Sequence, residues 1–158
     1  MLRTRIPPPL YALLAGITMF ALNRYAPGAM LLGPPLTRWA WLIATPGGLL
    51  AGWAATTFRR AHTTLDPTDP SKASRLVTHG PFRFSRNPMY LGLLIALSGW
   101  AAWLGSLSPL LVLPFFVALV TSQQIVPEEQ ALQARFGEPY TRYRQRVRRW
   151  VGGGRTAR

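Results

Sequence analysis

Residues 87 to 127 contain no charged side chain, a run of forty-one positions bracketed by Arg86 on one side and Glu128 and Glu129 on the other. A membrane-spanning helix takes roughly 20 apolar residues, so a run of this length predicts two helices joined by a turn. Gly105-Ser106-Leu107-Ser108-Pro109 supplies the turn, because small residues and proline favour tight reversal. Two shorter uncharged stretches, 18 residues over 6–23 and 20 residues over 39–58, predict two further helices. The expected fold class is all-α: an integral membrane protein with four transmembrane helices at about 8–24, 39–58, 88–105 and 108–126. Amphipathic cytoplasmic helices follow over 127–150. A single domain is expected over 1–150, with a disordered tail over 151–158. The N-terminal apolar stretch reads as a span and not as a cleavable signal, since no small-residue cleavage site follows it.

Charge is one-sided: 18 basic residues against 5 acidic ones give a net +13 in 158 residues. Such an excess usually points to nucleic acid, but here the bases cluster between uncharged stretches, which points to a membrane surface and no nucleic-acid partner. Sixteen of the bases precede the first span, lie between the second and third, or follow the fourth; Arg24 and Arg38 flank the opposite loop. The positive-inside rule then places both termini and the loop 59–88 in the cytoplasm. The five carboxylates, Asp66, Asp69, Glu128, Glu129 and Glu138, fall on that same side. The very Arg-rich composition suggests a bacterial inner membrane. With no cysteine and two histidines, neither a disulfide nor a thiolate site can form, and no metal is expected.

Within the spans, Thr45-Pro46-Gly47-Gly48 predicts a kink, and Gly48 with Gly52 forms a GxxxG pattern that predicts close helix packing. Trp39, Trp41, Trp100 and Trp103 sit near span ends, as interfacial anchors do. In the cytoplasmic loop, Asp66-Pro67-Thr68-Asp69-Pro70 reads as irregular turns. From Leu76 onward the mixture of apolar, aromatic and basic residues predicts an ordered segment. Pro127 begins a helix with Glu128 and Glu129 in its first turn, Gly137 interrupts it, and Glu138-Pro139 begins another. There Tyr140, Tyr143, Val147 and Trp150 share a side while Arg142, Arg144, Arg146, Arg148 and Arg149 crowd the rest, a pattern expected to lie on an anionic membrane surface.

Two readings stand for Glu128 and Glu129. Acidic residues in a first helical turn offset its dipole and need no ligand; equally, one of them faces a polar or cationic ligand. Gln123 and Gln124, one turn earlier, imply a hydrated pocket in place of lipid. At the other bracket, a lipid-facing Arg86 and a helix-starting Pro88 explain part of Arg86-Asn87-Pro88. They do not explain why Thr78, His79, Gly80, Asn87 and Tyr90 gather nearby. Glycine at 80 and 92 permits close backbone approach. No Ser/His/Asp or Cys/His set and no phosphate-binding glycine loop is present. A reaction that needs no protein nucleophile, only two substrates held in line, remains.

Residues 76–92, LVTHGPFRFSRNPMYLG, closely resemble the G-x-Y-x-x-x-R-H-P-x-Y signature of the isoprenylcysteine carboxyl methyltransferase family. These are integral membrane enzymes that use S-adenosylmethionine and are related to the phospholipid N-methyltransferases. Residues 128–150, EEQALQARFGEPYTRYRQRVRRW, resemble the family's second signature, E-E-x-x-L-x-x-x-F-G-x-x-Y-x-x-Y followed by basic residues. The resemblance implies a donor site built from Thr78, His79, Gly80, Pro81, Arg86, Tyr90, Gly92, Glu128 and Glu129. It implies catalytic roles for Arg86 and Glu128, with Gln124, Tyr140 and Tyr143 on the acceptor side. Three positions depart from the pattern. Asn87 stands where the family has His and Phe82 where it has Tyr, so neither is expected to be catalytic. Gln124 stands where prenylcysteine-modifying members carry an Arg that engages the substrate carboxylate, which argues against a prenylcysteine acceptor.

The expected function is therefore transfer of a methyl group from S-adenosylmethionine to a small lipophilic or lipid-like acceptor. Phospholipid N-methylation is the rival within the class. A small transporter or lipid-binding protein is the rival outside it, although transport needs polar groups near the bilayer midplane and the charges here lie at span ends.

Overall fold

A computed structural model of the chain describes residues 7–33, 37–61 and 76–152. The turns expected at Asp66-Pro67-Thr68-Asp69-Pro70, the bases Arg3, Arg5, Lys72 and Arg75, and most of the tail lie outside the described residues. Helix α1 is Pro8–Tyr25 and α2 is Trp41–Arg60; a 3-10 turn, Gly80–Arg83, precedes α3, Pro88–Leu104. A helical run, Leu107–Phe136, follows. It consists of α4 (Leu107–Leu110), α5 (Val112–Val120), a π-helical turn (Thr121–Ile125) and α6 (Val126–Phe136), and α7 (Glu138–Arg146) comes after it. Among the described residues the protein is all-α, with one isolated bridge between Met30 and Ser106.

The helices fall close to the four expected spans, but the run Leu107–Phe136 is the one that is both long and apolar enough to cross a membrane among the described residues. Helix α3 is apolar but has 17 residues. Helices α1 and α2 have the length, at 18 and 20 residues, yet Asn23 and Arg24 in one and Thr45, Pro46 and paired glycines in the other dilute them. Pro46 lies inside α2 without ending it. Pro127 likewise does not end the helical run. A proline cannot donate to the carbonyl four residues back and its ring crowds that carbonyl; the π turn immediately before it widens the helix there.

The described residues form two units: one from 50–91 and 121–152, the other from 7–49 and 92–120. In the latter, α1 packs on α4 and α5, and Met19, Leu97, Ala101, Val112, Phe116 and Val120 are buried. Close helix packing does occur, but not through the expected pair. Gly48 and Gly52 face open space, whereas a side chain on Gly47 would lie 2.6 Å from the Gly92 carbonyl oxygen, and one on Gly99 would lie 2.7 Å from the Ala44 Cα. The GxxxG pattern pointed to Gly48 and Gly52, but the inward glycine of α2 is Gly47. Leu13, Leu14, Ile17 and Phe20 of α1, Leu42 and Ile43 of α2, and Leu111 and Phe115 are exposed. So broad an apolar exterior suits contact with lipid. Trp39, Trp41 and Trp103 are about half exposed; Trp100 stacks on Trp103 at 4.9 Å and donates to the Gly16 carbonyl at 3.1 Å. The turn between α3 and α4 is held by Leu31 and Leu32, whose N–H groups both reach the Gly105 carbonyl. Gly105 itself has φ +77°, and a Cβ there would lie 2.8 Å from the Leu32 oxygen, so both conformation and space require glycine.

The other unit has its own core, in which Ala54, Val77, Phe82, Tyr140, Tyr143 and Val147 are buried and Phe58, Leu76, Leu132 and Phe136 pack around them. Phe82 meets Phe58 edge to face at 4.7 Å, a geometry that contributes about 1 kcal/mol beyond area burial. The segment from Leu76 is thus ordered, as its composition predicts. The apolar side of the Arg-rich C-terminal helix is not available to a membrane surface, because Tyr140, Tyr143 and Val147 are consumed by this core. The helix also stops at Arg146, so Trp150 does not extend its apolar side.

Candidate active site

The residues singled out in the sequence, Gly92 excepted, lie in the unit formed by 50–91 and 121–152. Gly92 lies in the other, where its carbonyl packs against Gly47. The first link is between the two ends of the uncharged run. Pro88 starts α3 and aims Tyr90 from its first turn; Tyr90 is buried, and its hydroxyl donates to Glu128 Oε1 at 2.9 Å. Glu128 itself is half-buried at the start of α6.

Glu129, one residue on, is buried and held by two cations. Arg149 donates to it twice, from Nε to Oε1 at 3.1 Å and from a terminal nitrogen to Oε2 at 2.7 Å. Arg86 Nη1 lies 3.1 Å from Oε1 as an ion pair, with its N–H directed off the oxygen. This fork-to-fork geometry is the strong form of carboxylate recognition. The bond to Glu129 raises the Arg149 pKa further, against the effect of burial. Of the two carboxylates, then, Glu129 is structural in its contacts and Glu128 is the one that keeps partial access to a ligand.

Tyr140 is 1% exposed beside this cluster, and its hydroxyl has no hydrogen-bond partner; neither has the Nε of Arg86. A buried polar group left unmatched costs about 1–3 kcal/mol. Burial pushes the Tyr140 phenol up, the Glu129 charge adds to this, and the adjacent Arg86 guanidinium opposes both by its charge and its approach to the hydroxyl.

Tyr143 uses its hydroxyl differently, donating to the Phe82 carbonyl at 2.8 Å. Its phenol is also pushed well up, by burial first and by Tyr140 second. A phenol whose folded pKa is raised stabilises the fold fully below its unfolded value and loses that contribution as pH rises beyond it. Stability will therefore fall as pH climbs past about 10. Denaturation across the alkaline range will show this slope, and Tyr143→Phe will flatten it while removing a hydrogen bond of about 1 kcal/mol. An identical slope in the variant would exclude Tyr143 as its source.

The segment after α7 was not legible as part of the site. Residues 147–152 lie along 84–87: the Arg86 N–H donates to the Arg148 carbonyl at 3.0 Å, the Gly152 N–H to Phe84 at 3.2 Å, and the Asn87 amide to Arg149 at 3.0 Å. Ser85 adds a bond to the Arg149 carbonyl and receives the Asn87 N–H. Asn87 is thus a clasp between the two segments. The crowd of nearby arginines hid Arg149, whose distinguishing feature is a backbone carbonyl fixed by two partners.

Gln124 is 1% exposed within the π turn; π turns recur at functional sites. Gly80 has φ +61°, and a Cβ there would lie 3.4 Å from the Thr57 hydroxyl; Pro81 is fully buried. Thr78 and His79 are exposed at the start of the 3-10 turn. Thr78 and Tyr143 line a cleft of about 590 Å³ beside α7. Among the described residues, no group of three or more His, Cys, Asp or Glu side chains could hold a metal ion.

The profile of the family described as phospholipid methyltransferase matches residues 36–139, which takes in the 3-10 turn, Tyr90 and both carboxylates. An uncharacterized protein of Haemophilus influenzae is 43% identical over 63 residues, amounting to 40% of this chain and 100% of that protein. No solved structure matches.

Proposed function

Since the chain belongs to the phospholipid methyltransferase family, we propose that it transfers a methyl group from S-adenosylmethionine to a small lipophilic or lipid-like acceptor at the cytoplasmic face of a bacterial inner membrane. The kinship expected from the two signatures is borne out by that membership. In this reading α1, α2, α3 and the part of the long helical run before Pro127 are the four spans, and α6 continues from the last of them into the cytoplasm.

One observation carries the reading: Tyr90 and Glu128, 38 residues apart, meet at 2.9 Å. The contact joins the two signatures and turns the ends of the uncharged run into one polar site. The residues fit the donor in charge and bonding. Glu128, oriented by Tyr90, supplies an anionic wall for a cationic ligand. Arg86 Nε and the Tyr140 hydroxyl, both buried and unmatched, supply donors for a carboxylate or carbonyl oxygen. Thr78, His79, Gly80 and Pro81 are proposed as the backbone wall. When bound, the donor supplies a methyl carbon already activated by its sulfonium, so alignment and exclusion of water are what the protein must add. The burial of Tyr90, Gln124 and Tyr140 serves that exclusion. The acceptor is proposed to lack a carboxylate, because Gln124 is a neutral amide at the position that would have to match it.

Calorimetry with S-adenosylhomocysteine on purified protein in detergent will show binding, and Glu128→Gln will weaken it at least about tenfold, a loss of about 1.4 kcal/mol. No binding by well-folded wild-type protein would overturn the proposal. Labelled methyl transfer into lipid extract, resolved by chromatography, identifies the acceptor.

A further inference from the structure

The cleft beside α7 has an electrostatic character unlike that of the site around Glu128. Arg83 from the 3-10 turn and Arg142 and Arg146 from α7 line it. The last two are four residues apart and so share a helix face. Among the described residues there are three carboxylates, and two are engaged elsewhere: Glu128 with Tyr90 and Glu129 with Arg86 and Arg149. The third, Glu138, stands 3.7 Å from Arg142, but both side chains are well exposed, so the pair is weak and screened. Three guanidiniums therefore face one cleft with one loosely held counter-charge.

The rest of the lining is mainly apolar, with Thr78 as its one further polar side chain besides Tyr143. Leu76, Pro139 and Val147 form its apolar part, and the Tyr143 hydroxyl is turned away into its bond with Phe82. Arginines and hydrocarbon lining one cleft match a phosphodiester attached to a glycerol and acyl chain better than they match a free anion. The volume, about 590 Å³, is in the range of small-molecule sites. Arginine is the side chain suited to bidentate phosphate recognition.

We propose that this cleft binds the phosphodiester headgroup of an anionic membrane lipid, through residues separate from Glu128, Glu129 and Tyr90. It fixes the C-terminal helix to the lipid headgroup layer by its arginines, the apolar side of that helix being buried in the protein core. The inference rests on the family's membrane association and not on the identity of the methyl donor.

The test is thermal unfolding of the full chain in detergent, titrated with short-chain phosphatidylglycerol, phosphatidylcholine or inorganic phosphate. Phosphatidylglycerol will stabilise the protein with an apparent affinity at least about tenfold tighter than phosphatidylcholine. Arg83→Gln/Arg142→Gln/Arg146→Gln will lose that difference, while S-adenosylhomocysteine binding by the same protein stays unchanged. Arg146→Gln alone will show a partial loss and serves if the triple variant does not fold. Equal responses to the two lipids, or a variant that keeps the preference, overturns the proposal. Inorganic phosphate binding as tightly as phosphatidylglycerol overturns the lipid assignment in favour of a free anion. Loss of donor binding in the triple variant would show that cleft and donor site are one.

Discussion

Glu129→Ala will destabilise the protein by about 3 kcal/mol, since removing one member of a buried ion pair leaves the other charged and unmatched. Arg86 is the partner that suffers, with its side chain 10% exposed; Arg149, at 36%, can turn toward water. This puts the expected loss at the lower end of what such deletions cost. Thermal unfolding in detergent will record it as a clear fall in Tm. Glu129→Leu combined with Arg86→Met will recover much of the loss, because it leaves no buried charge unmatched and the more exposed Arg149 can turn to water. A single variant as stable as the wild type would mean that the cluster contributes nothing to folding. A double variant no better than the single would assign the loss to packing and not to charge.

Gly99→Val and Gly47→Val will each cost about 3 kcal/mol, the upper range for overpacking. The side chain would meet the backbone of the facing helix: Ala44 for Gly99, and Gly92 and Ala96 for Gly47. A flexible neighbour can turn aside; a helix backbone can only be displaced. Gly48→Val is the control, because a Cβ there meets nothing within 4 Å, and its effect will stay within about 0.5 kcal/mol. The same unfolding measurement compares the three. A severe loss at Gly48 with tolerance at Gly47 would reverse the assignment of the packed face.

Much of the architecture could be read from charge spacing, because ionisable groups are costly in hydrocarbon and their absence marks helices independently of any residue's propensity. That reasoning located the helices and the turn at Gly105. It chose Gly48 with Gly52 where the packed residue is Gly47, since the spacing of small residues does not fix which face turns inward and one residue rotates a helix by about 100°. It could not foresee the π turn, which answers a conflict between Pro127 and an otherwise unbroken helix. The meeting of Tyr90 with Glu128 was implied by the resemblance of two segments, not by spacing. Arg149 and Asn87 escaped because their partners are more than 60 residues away for Asn87 and 20 for Arg149. Pairings of that kind are fixed by tertiary structure and leave no local pattern.

The clasp between 147–152 and 84–87 also sets an order of events during biosynthesis. Glu129 emerges from the ribosome 20 residues ahead of Arg149, its bidentate partner. Until that later segment is made, the carboxylate has Arg86 alone to balance it, and the Asn87 amide has no carbonyl to meet. The polar cluster around Glu129 is therefore the last part of this unit that can close, and it cannot do so before translation has passed Arg149.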